Sequence, residues 1–278
     1  MIIRSDWHMH SEASHDSSLS LDEIVTRAAE YGFERVGVTD HVNLNDTRFL
    51  SNLRRSVEIV TEKQKTHPEL VLGVELTPIE KPEFDYIAKH GSNEGYEPPV
   101  TLSPYPIELA VSKEELIALG VRYAIGASHW RVDVPHAQKL PQALDASMRE
   151  WYRQQLFMAC DDRVTVLGHP WYHGYGIWYE DFTVIPRSMN EEIMAALKEN
   201  KKYVECNSHF FNTTKTTEKF RHQYAEFLRE CFERGIPVTY GSDAHNHYHP
   251  DHVNPDRYLC DAGFVEGEIG GIREEDLW

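Results

Sequence analysis

The chain has little of what staples a small fold, spans a membrane or grips nucleic acid. Four cysteines occur in 278 residues, at 160, 206, 231 and 260, and no two form a C-x-x-C pair. That argues against a disulfide framework and against a cysteine zinc site; reduced thiols are expected. No stretch approaches the about 18 consecutive apolar residues of a membrane helix. The opening Met1-Ile2-Ile3-Arg4-Ser5-Asp6 runs straight into polar, histidine-rich sequence with no apolar signal core, so a cytoplasmic location is expected. Basic residues are scarce: 28 Lys+Arg stand against 45 Asp+Glu, a net charge of −17. A long DNA or RNA partner needs a basic face and is disfavoured. A small phosphorylated substrate stays open, because bound divalent cations would reverse the local sign. Internal repeats and low-complexity runs are also missing.

What is there is an alternation of short β-rich segments with amphipathic helical stretches. Residues 2–7 read as a first strand, and Ser20 caps a helix that stops near Gly32, with Glu23 as its capping-box partner. Strands follow at 35–39, 70–74, 122–126, 164–167, 203–206 and 236–240, with helices at about 48–66, 112–119, 143–160, 189–200 and 217–234. Residues 77–108 break this rhythm with six of the fourteen prolines and a Gly-rich piece at 91–95. They read as an inserted loop or hairpin, with a possible strand at Phe84–Ala88. The expectation is an α/β chain, one domain over 1–278, whose parallel strands close or nearly close into a barrel.

Sixteen histidines are the unusual feature, and their placement matters more than their number. The first strand ends in Asp6-Trp7-His8-Met9-His10, where alternation puts His8 and His10 on one face. Later strands end in Thr39-Asp40-His41, Gly73-Val74-Glu75, Ala127-Ser128-His129, Gly168-His169-Pro170 and Gly241-Ser242-Asp243-Ala244-His245. In a parallel barrel these ends meet at one rim, where active sites are built. A single histidine there is usually a surface or hydrogen-bonded residue. Imidazole or carboxylate at six strand ends points instead to a shared metal site.

The set resembles the PHP (polymerase and histidinol phosphatase) family of metal-dependent phosphoesterases. Asp6-x-His8-x-His10, Thr39-Asp40-His41, Glu75 and Gly241-Ser242-Asp243-Ala244-His245 match its four motifs in order. The stretch from His10 to Ser17 looks like the histidinol-phosphatase branch. The resemblance implies a distorted (β/α)7, TIM-barrel-like fold holding two to three divalent ions, Zn, Mn or Fe. It carries over to nine ligands: His8, His10, Asp16, His41, Glu75, His129, His169, Asp243 and His245. A first ion would take His8, His10, Glu75 and Asp243, and a second Glu75, His129 and His169. A third would take Asp16, His41 and His245. His15, next to Asp16, is the other candidate for that loop's ligand, with Asp16 favoured.

The chemistry expected is hydrolysis of a small phosphate monoester by a metal-bound hydroxide, histidinol phosphate being the specific substrate the branch suggests. Asp243, His245 and Arg131 are the expected catalytic residues, Arg131 by gripping phosphate oxygens, with Lys215 and Arg221 as weaker candidates. His173, His209 and His247 are candidate proton donors to the leaving oxygen. Asp6 and Asp40 are candidate partners for ring N–H groups, or structural caps. Alternatives are a phosphodiesterase acting on a small nucleotide and an amidohydrolase-like enzyme cutting a C–N bond. The oligomeric state has no sequence signature.

Overall fold

In the computed structural model, which describes residues 3–63, 67–97, 105–129, 141–172, 176, 178–248 and 253–278, without the side chains of 141–144 and 253–254, strands lead and helices follow. The elements are β1 (Ser5–Asp6), α1 (Leu21–Glu30), β2 (Arg35–Val38), β3 (His41–Val42), α2 (Thr47–Lys63), β4 (Glu69–Leu76), β5 (Ile79–Glu80), α3 (Lys81–His90), β6 (Ile107–Glu108), α4 (Lys113–Ala118), β7 (Tyr123–Gly126), α5 (Pro141–Cys160), β8 (Val166–Leu167), α6 (Arg187–Glu199), β9 (Tyr203–Asn207), α7 (His209–Asn212), α8 (Glu218–Glu233), β10 (Val238–Gly241), α9 (Val253–Asp261) and β11 (Ile269–Gly270). Local chemistry sets the boundaries. Ser20 accepts from Glu23 N at the start of α1, and Gly32 takes positive φ just past its end.

The strands run parallel in the order β1-β2-β4-β7-β8-β9-β10-β11, with β3 also on β4. The chain beyond β1 closes the seam against the end of β10. Trp7 N donates to Tyr240 O (3.0 Å), Asp243 N to His8 O (2.7 Å) and His10 N to Ala244 O (2.9 Å). The result is a nearly closed, TIM-barrel-like α/β barrel, as expected. One strand was not foreseen: β11, in the acidic C-terminal segment, pairs with β10 through Val238↔Ile269 and Thr239↔Gly270.

A large apolar layer fills the space between strands and helices, and a smaller one fills the barrel: Trp7, Val71, Tyr123, Ile125, Val166, Tyr203 and Ile272. Tyr123 is the floor under the strand ends. Its hydroxyl donates to Trp7 O (2.6 Å). A Cβ on Gly73 would lie 2.5 Å from the Tyr123 ring, so the glycine makes room for the floor.

The 77–108 region is an insertion, with β5 and β6 paired antiparallel. Its middle corrects the sequence expectation: Phe84–Ala88 lies inside helix α3, not in a strand. Pro82 sits in the first turn, Gly91 ends the helix with φ 85°, and Lys81 pairs with Asp85 one turn on. These signals override the period-2 alternation of Phe84, Tyr86 and Ala88. Arg153 on α5 ties the insertion down, donating to Tyr105 O (2.7 Å) and Glu80 (3.4 Å).

Candidate metal centre

The parallel register brings the strand ends to one rim. His41 pairs in register with Glu75 across β3 and β4. Glu75 is the hub of what gathers there. Its carboxylate lies 3.4 Å from His8 Nε2, 3.4 Å from His10 Nε2, 2.7 Å from His41 Nδ1, 3.3 Å from His129 Nε2 and 3.0 Å from His169 Nε2. Asp243 Oδ1 lies 3.6 Å from His8 Nε2 and 3.3 Å from His10 Nε2. Asp16 Oδ2 lies 3.2 Å from His41 Nε2 and 3.6 Å from His245 Nε2. All nine side chains of the expected set therefore converge. His15 lies at the edge of the cluster, its ring edge-on to Phe49 at 5.0 Å and 5.4 Å from the His41 ring, while Asp16 is the residue of that loop that reaches both His41 and His245.

Burial grades across the cluster. The side chains of His8, His10 and Glu75 are fully buried, whereas Asp16 is 39% and His245 26% exposed, which puts the mouth on their side. Burial alone would raise Glu75 and Asp243, but the surrounding imidazoles, His8 foremost, hold both well below the usual carboxylate range. Burial pulls His41 down, yet Glu75 and Asp16 push it up to about 10. So many buried carboxylates are stable only beside positive charge.

The donors fit divalent ions. Glu75 Oε2 and His41 Nδ1, which face each other in the cluster, are buried and have no hydrogen-bond partner. Buried polar atoms are rarely left so unless something else engages them. Imidazole with carboxylate, and no thiolate, suits Zn, Mn or Fe(II). In three overlapping triads the ligand atoms lie within 4.8 Å of one another: His8-His10-Asp243, His41-Glu75-His129 and His10-His41-His245. Backbone strain sits here too, His169 and Asp243 having φ of 23° and 56°.

Behind the cluster, Asp6 and Asp40 take the second of their two expected roles, the structural cap. Asp6 and Asp40 serve backbone, not imidazole. Asp6 accepts from His8 N (3.2 Å) and Ser242 N (3.0 Å), and burial pushes its carboxyl up to about 6 against those bonds. Asp40 accepts from Ser11 N and Ser11 Oγ, at 2.6 and 2.7 Å. Both are clamps that pin the strand-end loops. The imidazole partners are residues the sequence reading passed over. His8 Nδ1 donates to Glu205 Oε1 (2.7 Å), and His129 Nδ1 to Thr77 Oγ1 (2.8 Å), which in turn donates to Asn43 Oδ1 (2.6 Å). The available signal was the alternation Glu205-x-Asn207-x-His209 at the end of β9.

Of the other candidates, Arg131 and His173 lie outside the described residues. Arg221 spends its guanidinium on Thr213 O (2.7 Å) and Thr216 Oγ1 (3.0 Å), closing its own loop instead of facing the rim. Lys215 and His247 are exposed. His209 stands nearest the cluster: Tyr172 bridges it to His169, with ring centroids 5.8 Å from His209 and 5.0 Å from His169.

Fold and site define a class: a nearly closed parallel α/β barrel whose C-terminal rim carries a histidine and carboxylate centre suited to divalent metal. Within that class the chain belongs to the PHP domain family, whose model matches residues 6–209. A segment of 55 residues is 42% identical to a probable phosphatase of Acetivibrio thermocellus (strain ATCC 27405), covering 20% of this chain and 22% of that one. The chain thus matches about a fifth of that relative's length. In structure it is similar to the histidinol phosphate phosphatase of Lactococcus lactis subsp. lactis Il1403, solved with zinc, L-histidinol and phosphate. That likeness has a TM-score of 0.62 and 19% identity over 94% of each chain, and bears on the fold. Among the described residues no helix is long and apolar enough to cross a membrane.

Proposed function

We propose that this protein is a metal-dependent phosphoesterase hydrolysing a small phosphate monoester. The observation that carries the reading is the convergence of five imidazoles on the single buried carboxylate of Glu75. A bridging carboxylate among neutral imidazoles is how two cations are held side by side. Family membership and the phosphatases among the similar proteins support the same chemistry.

In this reading His8, His10, Glu75 and Asp243 would hold one ion, Glu75, His129 and His169 a second, and Asp16, His41 and His245 a third. When bound, such ions supply a nucleophilic water at neutral pH and neutralise phosphoryl charge. The protein's own groups do the rest. Asp243 and His245, on the exposed side of the cluster, face the entering substrate, and Asp16 shapes the mouth beside them. The Tyr123 floor and the buried His8 and His10 exclude bulk water from below. His209, beyond Tyr172, is the nearest described candidate to supply a proton to the leaving oxygen, although burial pulls its pKa down. Arg131 is proposed to bind phosphate oxygens through its guanidinium fork. A net charge of −17 leaves a small anion dependent on the centre itself for attraction.

Histidinol phosphate is the first substrate to try, on the strength of the family branch and of the L. lactis structure. The test is a panel of histidinol phosphate, aryl phosphates and small nucleotide diesters, assayed as purified, after chelation, and after zinc or manganese is restored. Turnover of monoesters that is lost and regained with metal is expected. Turnover of diesters alone would move the reading to a phosphodiesterase, and no metal-dependent hydrolysis would reject it.

A further inference from the structure

Most barrel strands end in a side chain of the expected ligand set, but β9 does not. It ends in Glu205, Cys206 and Asn207. We propose that Glu205 is a positioning residue of the metal centre, fixing the ring of His8 and the backbone of His169 with one buried carboxylate. The inference rests on the metal reading above and deepens it.

The geometry is specific. Glu205 is 1% exposed, and its carboxylate is held by His8, His169 N and Asn207. Its Oε1 accepts from His8 Nδ1 at 2.7 Å. With Nδ1 committed to Glu205, Nε2, the nitrogen nearest Glu75 and Asp243, is the one turned to the cluster and offered to a metal. Its Oε2 accepts from His169 N at 2.5 Å, at a residue whose φ of 23° needs an external hold. Asn207 extends the arrangement. Its Nδ2 lies 3.3 Å from both Glu205 Oε2 and Asp243 Oδ2, and its Oδ1 accepts from His209 N (2.9 Å). Ligands from three strands, His8, His169 and Asp243, are thus referenced to one strand that supplies none of the expected set.

Space has been left for this carboxylate. A Cβ at Gly241 would fall 1.9 Å from Glu205 Oε1 and 2.6 Å from His8 Cβ. The other outer partners are weaker acceptors. His129 leans on the hydroxyl of Thr77, and His245 Nδ1 on the carbonyl of Asp243 at 2.9 Å. A carboxylate raises the basicity of the imidazole it holds more than a hydroxyl or carbonyl does. His8 is therefore the most basic neutral donor of the three, and the ion it binds the most tightly kept.

The experiment compares full-length wild type with Glu205→Gln by titrating zinc against a chromophoric chelator, alongside thermal melts of both metal-free proteins. The amide keeps the shape but loses the charge and one acceptor. Expected is an affinity at the tightest zinc site lowered by about 10- to 100-fold, in a protein that still melts cooperatively. Unchanged zinc affinity with a lowered melting temperature would overturn the proposal and leave Glu205 a mere clasp between strands. Should the variant not fold, the zinc-loaded wild type carries the answer. Its His8 ring should show a bound Nε2 and a downfield, slowly exchanging Nδ1–H in nitrogen-15 correlation spectra. A ring bound through Nδ1 would overturn the proposal while leaving the metal reading intact. A wild type that takes up no zinc or manganese would bring down both.

Discussion

His41 Nδ1 and Glu75 Oε2 approach to 2.7 Å, both buried, and neither has a hydrogen-bond partner. Two buried polar atoms meeting in this way, outside hydrogen-bond geometry, leave a demand at the hub that positive charge beside Glu75 would meet. Glu75 is reached by the same type of atom from His8, His10, His129 and His169. Removing its charge should therefore affect more than one ion. In Glu75→Gln, bound metal should fall by at least one equivalent, and kcat/KM for a phosphate monoester by more than about 100-fold. Metal analysis with steady-state kinetics checks both, and full metal content in the variant would remove Glu75 from its bridging place.

Gly241 is set by what stands against it. Alanine would drive its Cβ into Glu205 Oε1 and toward His8. Those neighbours are buried and cannot swing into solvent, so Gly241→Ala should cost about 2 kcal/mol or more. A urea melt of the metal-free protein reads this directly. A variant as stable as the wild type would mean that β9 and β10 can separate at the rim at little cost.

His209 should matter in proportion to how badly the leaving group needs a proton. His209→Ala is expected to slow hydrolysis of an alkyl phosphate by about 100-fold. A nitrophenyl phosphate, which departs as an anion unaided, should lose only about threefold. Equal losses on the two substrates would assign His209 to binding or structure instead.

The cysteines separate into two pairs. Cys160 and Cys260 are exposed, while Cys206 and Cys231 are buried, and burial pushes their thiols far up. At pH 8, iodoacetamide should alkylate Cys160 and Cys260 within minutes and leave Cys206 and Cys231 unmodified until denaturant is added. Peptide mass spectrometry distinguishes them. Rapid labelling of Cys206 in the native protein would mean that β9 opens.

The candidate cluster was legible in the sequence, through the family resemblance and because a parallel barrel converts order along the chain into proximity at one rim. His8, His10, His129, His169, Asp243 and His245 follow strands, Glu75 is the last residue but one of β4 and His41 opens the short β3, and strand ends are where distant residues of a parallel barrel meet. Glu205 was harder to see. It lies inside β9, one turn of the pleat below the rim, and a buried carboxylate in a strand gives no motif until its partner His8 is located in space. The 84–88 segment alternates like a strand, and only the Pro82 and Gly91 boundaries reveal the helix. β11 is a pair of residues, Ile269 and Gly270, too short to carry a period, and it exists because β10 offers it an edge. Asp6 and Asp40 sit beside histidines in sequence but pin neighbouring strand-end loops, Asp6 across the seam to Ser242 N and Asp40 to Ser11, a difference that only strand pairing resolves.

Anomalous scattering from a crystal grown with zinc tests the metal centre most directly. Two or three peaks are expected inside the cluster, with Glu75 oxygens at about 2.0–2.2 Å from two of them and His8 Nε2 at a similar distance from one. Zinc found only at surface histidines, with Glu75 turned away from His8 and Asp243, would contradict it.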